Sequence, residues 1–132
     1  MSKYKELKGF IMKNRSFENL ECWKKSRILV KEIYSIVKST NLKNDFVLRD
    51  QITRSAISIM SNIAEGSERS SDKEFAYFLN VAKASCGELR SQVYILKDVG
   101  YINETQFLEL IKMSKDISKM IYGLSVYLRS NH

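Results

Sequence analysis

This chain of 132 residues contains no proline, and that absence narrows its possible folds more than any other property of the sequence. Proline removes an amide donor and clashes with the preceding helical turn, so a chain without it can form long uninterrupted helices. Apolar residues recur at steps of three and four along most of the sequence, which is the spacing of one helix face. Short apolar runs lie inside this periodicity, so they do not indicate strands. The sequence predicts an all-α protein.

Four amphipathic segments, separated by short polar stretches, fill most of the chain. Short connections force each helix to lie antiparallel to the next, which predicts an up-down-up-down four-helix bundle. We place the bundle at residues 16–129, after a basic extension at 1–15 and before a short tail at 130–132. The predicted helices cover residues 17–39, 45–66, 72–99 and 103–129.

Each segment has an apolar stripe that we expect to face the core. Residues at steps of three and four fall on the same side of a helix, one turn above another. The predicted core positions are Leu20, Trp23, Ser26, Val30, Ile33 and Val37 in the first segment; Leu48, Ile52, Ala56, Ile59 and Ile63 in the second; Phe75, Leu79, Ala82, Cys86, Leu89, Val93 and Leu96 in the third; and Phe107, Leu110, Ser114, Ile117, Ile121, Leu124 and Leu128 in the fourth.

Residues with capping side chains lie at the predicted helix ends. Serine, aspartate and asparagine accept hydrogen bonds from the free amides of a first turn, and a glutamate or glutamine three residues later completes a capping box. Glycine favours the left-handed conformation that ends many helices. The predicted caps are Ser16, Asp45, the pairs Ser71/Glu74 and Asn103/Gln106, and Gly100 at the end of the third helix.

The third segment has a run of small residues around Gly87, a position where glycine costs about 1 kcal/mol relative to alanine in a helix. We interpret this run as a place where helices approach closely. Six tyrosines lie at positions that we expect to be exposed. Tyrosine is common at protein interfaces, because it buries a large area while its hydroxyl remains polar. They predict a homo-oligomer; the tyrosines are Tyr34, Tyr77, Tyr94, Tyr101, Tyr122 and Tyr127.

The sequence offers little catalytic chemistry. Its one histidine, His132, is the last residue, which argues against histidine general bases, triads and Glu-x-x-His metal sites. Glu65 and Glu88 are candidates for a carboxylate pair, although each is expected to accept ordinary hydrogen bonds. Cys22 and Cys86 fit buried apolar positions. We expect a protein that is not an enzyme and has no metal, cofactor or small-molecule substrate.

The stretch SNIAEGSERSS at residues 61–71 contains a glycine among serines, as phosphate-binding loops do. A Walker-type loop follows a strand and contains a second glycine with a lysine directly after it. This stretch has one glycine, no lysine follows that glycine, and the preceding segment is predicted to be helical. We interpret it as a junction in which Asn62 and Glu65 end one helix and Gly66 lets the chain leave it. Arg69 and Lys73 remain candidates for phosphate contact beside the start of the third helix.

The net charge of +7 is unevenly distributed, because residues 1–15 contain five basic side chains and one acidic. Two helices also carry basic rows, which indicate either a solvated face or a surface that follows a phosphate backbone. No pattern indicates base-specific recognition. The basic rows are Lys24, Arg27, Lys31 and Lys38 in the first helix and Lys112, Lys115 and Lys119 in the fourth.

The chain has no apolar run of the roughly 18 residues that a membrane span needs. Its N-terminus, MSKYKELKGFIMKNR, has no apolar core of secretory length. We therefore expect a cytoplasmic protein with no membrane partner.

Several phrases together resemble the four-helix bundle proteins encoded by intervening sequences of large-subunit (23S) rRNA. That family is similar to the accessory variability proteins of diversity-generating retroelements. The resemblance covers residues 16–129, and its longest motif is the R-S-A-x-S-I…N-I-A-E-G-x-x-R run. The phrases are SFENLECWKKS (16–26), LRDQITRSAISIMSNIAEGSERSSDKEFAYFL (48–79), ASCGEL (84–89) and GYI (100–102).

The resemblance implies a ring-shaped homopentamer with no catalytic activity. It implies a bacterial, ribosome-associated setting and a partner that is structured RNA or a ribonucleoprotein, including a reverse transcriptase–RNA complex. A protein–protein adaptor or scaffold ring with no direct RNA role is the alternative. The matching motif positions, which we interpret as determinants of fold and assembly, are Arg54, Ser55, Ser58, Asn62, Glu65, Gly66, Arg69, Phe75, Ser85 and Glu88.

Overall fold

The structure is a computed structural model that describes residues 16–130. Four α-helices account for most of these residues, and no strand occurs among them, which confirms the all-α class. The predicted N-terminal extension at 1–15 and residues 131–132 lie outside the described range. The helices are α1, Glu21–Ser39; α2, Phe46–Ser67; α3, Asp72–Asp98; and α4, Glu104–Ser130.

Side-chain caps begin three of the four helices. The Leu48 amide donates to Asp45 Oδ1 at 3.3 Å, and the Glu74 amide donates to Ser71 Oγ at 3.2 Å. Asn103 and Gln106 form a reciprocal capping box, in which each amide donates to the other side chain at 2.9 and 2.8 Å. These three predicted caps are confirmed.

The predicted Ser16 cap is wrong for α1. A short 3₁₀ turn, Phe17–Asn19, follows Ser16, and α1 begins only after Leu20, whose side chain cannot accept a hydrogen bond. The Ser16 hydroxyl instead donates to the Glu18 carboxylate. A second 3₁₀ turn, Asn41–Asn44, joins α1 to α2.

Gly100 ends α3 in the conformation that the sequence predicted. Its φ angle is +83°, a region that glycine enters without the steric cost of a Cβ. The Tyr101 amide reaches back to the Leu96 carbonyl at 2.9 Å and the Gly100 amide to the Lys97 carbonyl at 3.1 Å. The last carbonyls of α3 are thereby satisfied, as in a Schellman motif.

The core consists of one apolar cluster to which all four helices contribute. Every predicted core position of α2 and α3 is buried, and in α4 only Leu124 is partly exposed. Consecutive helices contact one another, and α1 also contacts α4, so the four helices enclose a common interior.

The predicted core stripe of α1 is displaced by one residue from the observed one. The buried residues of α1 are Cys22, Ser26, Leu29, Ile33 and Ile36, while Trp23, Val30 and Val37 are only partly buried at the edge of the core. Two rows with alternating steps of three and four overlap at two positions of this helix. Spacing alone therefore could not decide which row faces inward.

One of the tyrosines predicted at the surface lies in the interior. The side chain of Tyr127 is 2% exposed and belongs to the core, so it cannot lie at an interface in this fold. Tyr101 is half-buried, and its hydroxyl donates to Asp45 Oδ2 at 2.9 Å, which raises the pKa of the phenol. The other four, Tyr34, Tyr77, Tyr94 and Tyr122, are exposed.

The role predicted for Gly66 is also corrected. Helix α2 continues through it to Ser67, and Asn62 and Glu65 lie within the helix rather than at its end. A Cβ at Gly66 would lie 2.9 Å from Phe75 Cδ1 and from Phe78 Cβ on α3. Glycine is therefore required for the close approach of α2 and α3, and not for an exit of the chain.

Gly87 has a different environment. A Cβ there would meet only Arg90 Nη2, at 3.9 Å, so close helix packing does not require this glycine. The small residues that do pack inward are its neighbours Ala82, Ser85 and Cys86, which are buried.

A matched pair of glycine substitutions tests the close approach of α2 and α3. Gly66→Ala is expected to lower the free energy of unfolding by about 1–3 kcal/mol, because the methyl group must displace an aromatic side chain or the α3 backbone. Gly123→Ala in α4 has open space around it and should raise stability by about 0.5–1 kcal/mol. Urea denaturation, monitored by circular dichroism, measures the unfolding free energy of both variants. Equal changes for the two would contradict the conclusion that Gly66 is required for the close approach of α2 and α3.

Candidate nucleic-acid interface

The exposed face of α1 brings three of its four predicted cations together. Lys24, Arg27 and Lys31 line a shallow groove with Trp23 and Ile28, which we call the α1 groove. The Arg27 guanidinium carbon lies 5.9 Å from the centroid of the Trp23 ring, so the indole supports the charged group. This groove also contains Glu18, and Lys24 Nζ is 3.5 Å from the exposed Glu21 carboxylate.

Lys38 does not belong to the α1 groove. It lies seven residues beyond Lys31, which places it about 10 Å further along the helix. It is exposed in the last turn of α1, where a cation interacts favourably with the carbonyl end of the helix.

A second basic surface lies between α3 and α4. We call it the α3–α4 pocket, and it brings the predicted Lys115 and Lys119 together with two cations that were not among the predicted binding residues. These two, Lys83 and Arg90, lie seven residues apart and so share one face of α3. Spacing indicates their common face, but only the packing of the helices places that face beside α4. The α3–α4 pocket is lined by Lys83, Arg90, Lys115, Ser118, Lys119 and Tyr122.

Lys112 is set apart from this pocket by an ion pair. Its Nζ lies 2.7 Å from Asp116 Oδ2, one turn further along α4. This hydrogen bond lowers the pKa of the Asp116 carboxyl, and the nearby charges of Lys119 and Lys25 add to the effect. Asp116 therefore stays ionised and partly balances the charge of Lys112.

The junction between α2 and α3 does not bring Arg69 and Lys73 into one site. Arg69 pairs with the Glu65 carboxylate and lies 4.7 Å from the centroid of the Phe78 ring. Lys73 lines a separate groove together with Tyr77 and Arg129. Two acidic residues in the first turn of α3, Asp72 and Glu74, oppose an anion at this helix start.

Five of the ten motif positions form a polar seam between α2 and α3. Ser55 Oγ lies 2.9 Å from Glu88 Oε1, to which it donates, and Ser58 Oγ lies 2.9 Å from Ser85 Oγ. Asn62 Nδ2 donates to the Ser58 carbonyl at 2.8 Å, one turn along α2. Small hydroxyl groups satisfy each other here where two helix backbones are close, so these residues support the fold.

The candidate carboxylate pair is not assembled. Glu88 contacts Ser55, which precedes Glu65 by ten residues and therefore lies about 15 Å away along α2. Both carboxylates are exposed, and Glu65 is occupied by Arg69. They cannot act on one substrate atom, so Glu65 and Glu88 do not form the candidate carboxylate pair.

The cysteines and other metal-ligating residues form no site within residues 16–130. Cys22 and Cys86 are free and buried, and burial is the main cause that raises the pKa of each thiol to about 12. No group of three or more histidine, cysteine or carboxylate side chains in the described part of the chain could hold a metal ion.

Arg54 lies in an open groove between α1 and α2. The groove is also lined by Tyr34 of α1 and by Ile57, Ser58 and Asn62 of α2. Within residues 16–130 Arg54 takes part in no ion pair, whereas its neighbour Arg49 is paired with Asp50. The Arg49–Asp50 pair also lines the groove, so Arg54 is the lining cation that has no carboxylate partner among the described residues.

The fold and its surfaces define a small all-helical protein with four helices and two basic surfaces in the described part of the chain. The sequence model of the 23S rRNA-intervening sequence protein family matches residues 18–123, which is most of the chain. The protein belongs to this family. None of the helices in the described residues is long and apolar enough to span a membrane.

A solved structure supports the same placement. It is a protein of unknown function from the S23 ribosomal protein family of Bacteroides thetaiotaomicron VPI-5482, which is 28% identical to this chain. The match covers 77% of this chain and 95% of that one, with a TM-score of 0.70. Comparison with curated protein sequences returns no match.

The polar seam between α2 and α3 leads to a stability prediction. Ser55→Ala is expected to lower the free energy of unfolding by about 0.5–1.5 kcal/mol, because the buried hydroxyl shares its one hydrogen between two acceptors, the Gln51 carbonyl and Glu88. Ser61→Ala, at an exposed position of the same helix, is the control and should change stability by less than about 0.5 kcal/mol. Chemical denaturation compares the two, and equal losses of stability would show that the seam does not stabilise the fold.

Proposed function

We propose that this protein is a non-enzymatic, homo-oligomeric four-helix bundle that binds RNA, or a ribonucleoprotein, without reading base sequence. The observation that carries the proposal is the gathering of surface cations into the α1 groove and the α3–α4 pocket. Cations that track phosphates supply sequence-independent affinity. Membership of a family described by a 23S rRNA intervening sequence makes ribosomal RNA the first partner to test.

The proposal includes an up-down-up-down topology. Ser55 pairs with Glu88 and Ser58 with Ser85, so residue numbers rise along α2 as they fall along α3. The Tyr101–Asp45 hydrogen bond supports the same topology, because it places the α1–α2 and α3–α4 connections at one end.

We also propose assembly into a ring, with a pentamer as the size that the family resemblance implies. The groove around Arg54 supports this proposal, because an unbalanced cation beside exposed tyrosine suits an interface. Rings repeat each weak basic surface and so increase avidity for a long polyanion. The proposal also includes a relation to the accessory variability proteins of diversity-generating retroelements, which is consistent with assembly into a ring.

Arg54→Glu tests the assembly. Reversing this charge should weaken the interface, so sedimentation equilibrium is expected to show a smaller mass that approaches the 15.4 kDa of one chain. Lys43→Glu, at an exposed residue outside the groove, is the control and should keep the wild-type mass. A monomeric wild-type protein would contradict the ring, and an unchanged mass for Arg54→Glu would contradict this location of the interface.

The α1 groove provides a direct test of RNA binding. The triple substitution Lys24→Gln/Arg27→Gln/Lys31→Gln is expected to weaken binding of single-stranded RNA and to flatten its salt dependence. The slope of log K against log salt should fall by about 0.7 for each phosphate that is no longer neutralised, or by about 2 in total. Fluorescence anisotropy over a series of salt concentrations measures this slope.

An equal removal of charge elsewhere is the control for that experiment. The triple substitution Lys25→Gln/Lys43→Gln/Lys112→Gln changes exposed lysines outside the groove and should leave the slope near the wild-type value. Equal effects of both triples would assign binding to net charge alone. A variant that begins at Ser16 then separates the bundle from the basic extension at 1–15, because loss of all binding on truncation would contradict a role for the helices.

One observation favours an adaptor or scaffold ring as the second candidate function. Phe46, Val47 and Val99 are more than half exposed beside the two connections that the Tyr101–Asp45 bond holds together. Exposed apolar side chains at one end suit a protein partner. A partner that stays bound after nuclease treatment would favour this alternative over RNA binding.

A further inference from the structure

The α3–α4 pocket combines four cations with one exposed aromatic ring. Lys83 and Arg90 come from α3, and Lys115 and Lys119 come from α4. None of the described residues that line the pocket is acidic. Within residues 16–130 none of these four cations belongs to an ion pair, in contrast to Lys112 on the neighbouring turn. Asp116, outside the pocket, offsets part of the charge of Lys119. The cations that line the pocket still outnumber nearby carboxylates and repel one another, and a bound anion relieves this repulsion.

Tyr122 stands beside these cations with 56% of its side chain exposed. Lys83 Nζ lies 6.0 Å from the centroid of its ring, so a group held by the lysine is within reach of the aromatic face. A nucleotide carries a phosphate and a flat base on one sugar, and so it offers a partner to both the cations and the ring. Single-stranded RNA presents both groups, because its bases can leave the stack and lie on aromatic side chains.

We infer that the α3–α4 pocket binds one nucleotide of single-stranded RNA, with the four cations around a phosphodiester group and Tyr122 stacked on the adjoining base. The inference rests on the proposed RNA-binding function and adds to it a preference for unpaired RNA. A duplex buries its bases and offers this pocket only phosphates.

The test compares a fluorescein-labelled 12-nucleotide single-stranded RNA with a duplex of the same sequence, using the full chain. Tyr122→Ala is expected to weaken single-strand binding at least about fivefold, because base stacking is removed, and to leave duplex binding unchanged. Tyr122→Phe keeps the aromatic face and should bind like the wild type. Tyr77→Ala, at a similarly exposed tyrosine outside the pocket, is the matched control and should have no effect.

A second pair of variants tests the phosphate. Lys115→Gln should weaken binding of both RNAs, whereas Lys112→Gln, three residues away and paired with Asp116, should have little effect. In competition, adenosine monophosphate should displace the single strand at a lower concentration than inorganic phosphate does. Tighter binding of the mononucleotide than of the 12-nucleotide RNA would overturn the inference and indicate a free nucleotide as the ligand.

The outcomes distinguish failure of the proposed nucleotide site from failure of the proposed RNA-binding function. A wild-type protein that binds neither RNA ends both proposals. If Tyr122→Ala and Lys115→Gln both leave RNA binding unchanged, the α3–α4 pocket is not the binding site, and the RNA binds to other surfaces of the protein. Equal weakening of single-strand and duplex binding by Tyr122→Ala would show that the ring only supports the charges, which also overturns the stacking site. Circular dichroism confirms that each variant is folded.

Discussion

The packing of Gly66 against Phe75 and Phe78 is the constraint on which the approach of α2 to α3 depends. At this end of the two helices a Cβ would lie 2.9 Å from both aromatic side chains, so only glycine lets the backbones approach this closely. Further along, the same pair of helices is joined by the Ser55–Glu88 and Ser58–Ser85 hydrogen bonds. A close helix pair of this kind needs small residues where the helices meet, and larger side chains would separate it.

The tight α2–α3 pair has consequences for the rest of the molecule. It places Ser55 and Ser58 along the seam, and it leaves Arg54 in the open groove beside α1. On its other side α3 packs against α4, where Ser114 Oγ donates to the Cys86 carbonyl at 3.1 Å. This packing brings the outward edges of α3 and α4 together, and the cations on those edges form the α3–α4 pocket. The basic surface is therefore a product of helix packing rather than of a single charged helix.

Charge alone is a poor guide to which cations are available to a ligand. Arg69 pairs with Glu65 and lies against Phe78, and Lys112 pairs with Asp116, although both were candidates for phosphate contact from the sequence. Exposed ion pairs of this kind contribute little stability, but they lower the charge that a phosphate meets. The charges of Lys83 and Arg90 remain available in the pocket, because no carboxylate of the described residues lines it. The distribution of acidic neighbours thus decides which basic residues form a surface.

The helices, most of their caps and nearly all of the core of α2, α3 and α4 could be predicted from the amino-acid sequence. These depend on local hydrogen bonds and on a periodicity of three and four residues, both of which are visible in one segment at a time. Helix packing was needed to show that α1 buries the row of Leu29 and Ile36, that Tyr127 is internal, and that Lys83 and Arg90 join Lys115. Those outcomes depend on the rotation of each helix about its axis, which is set by contact with other helices.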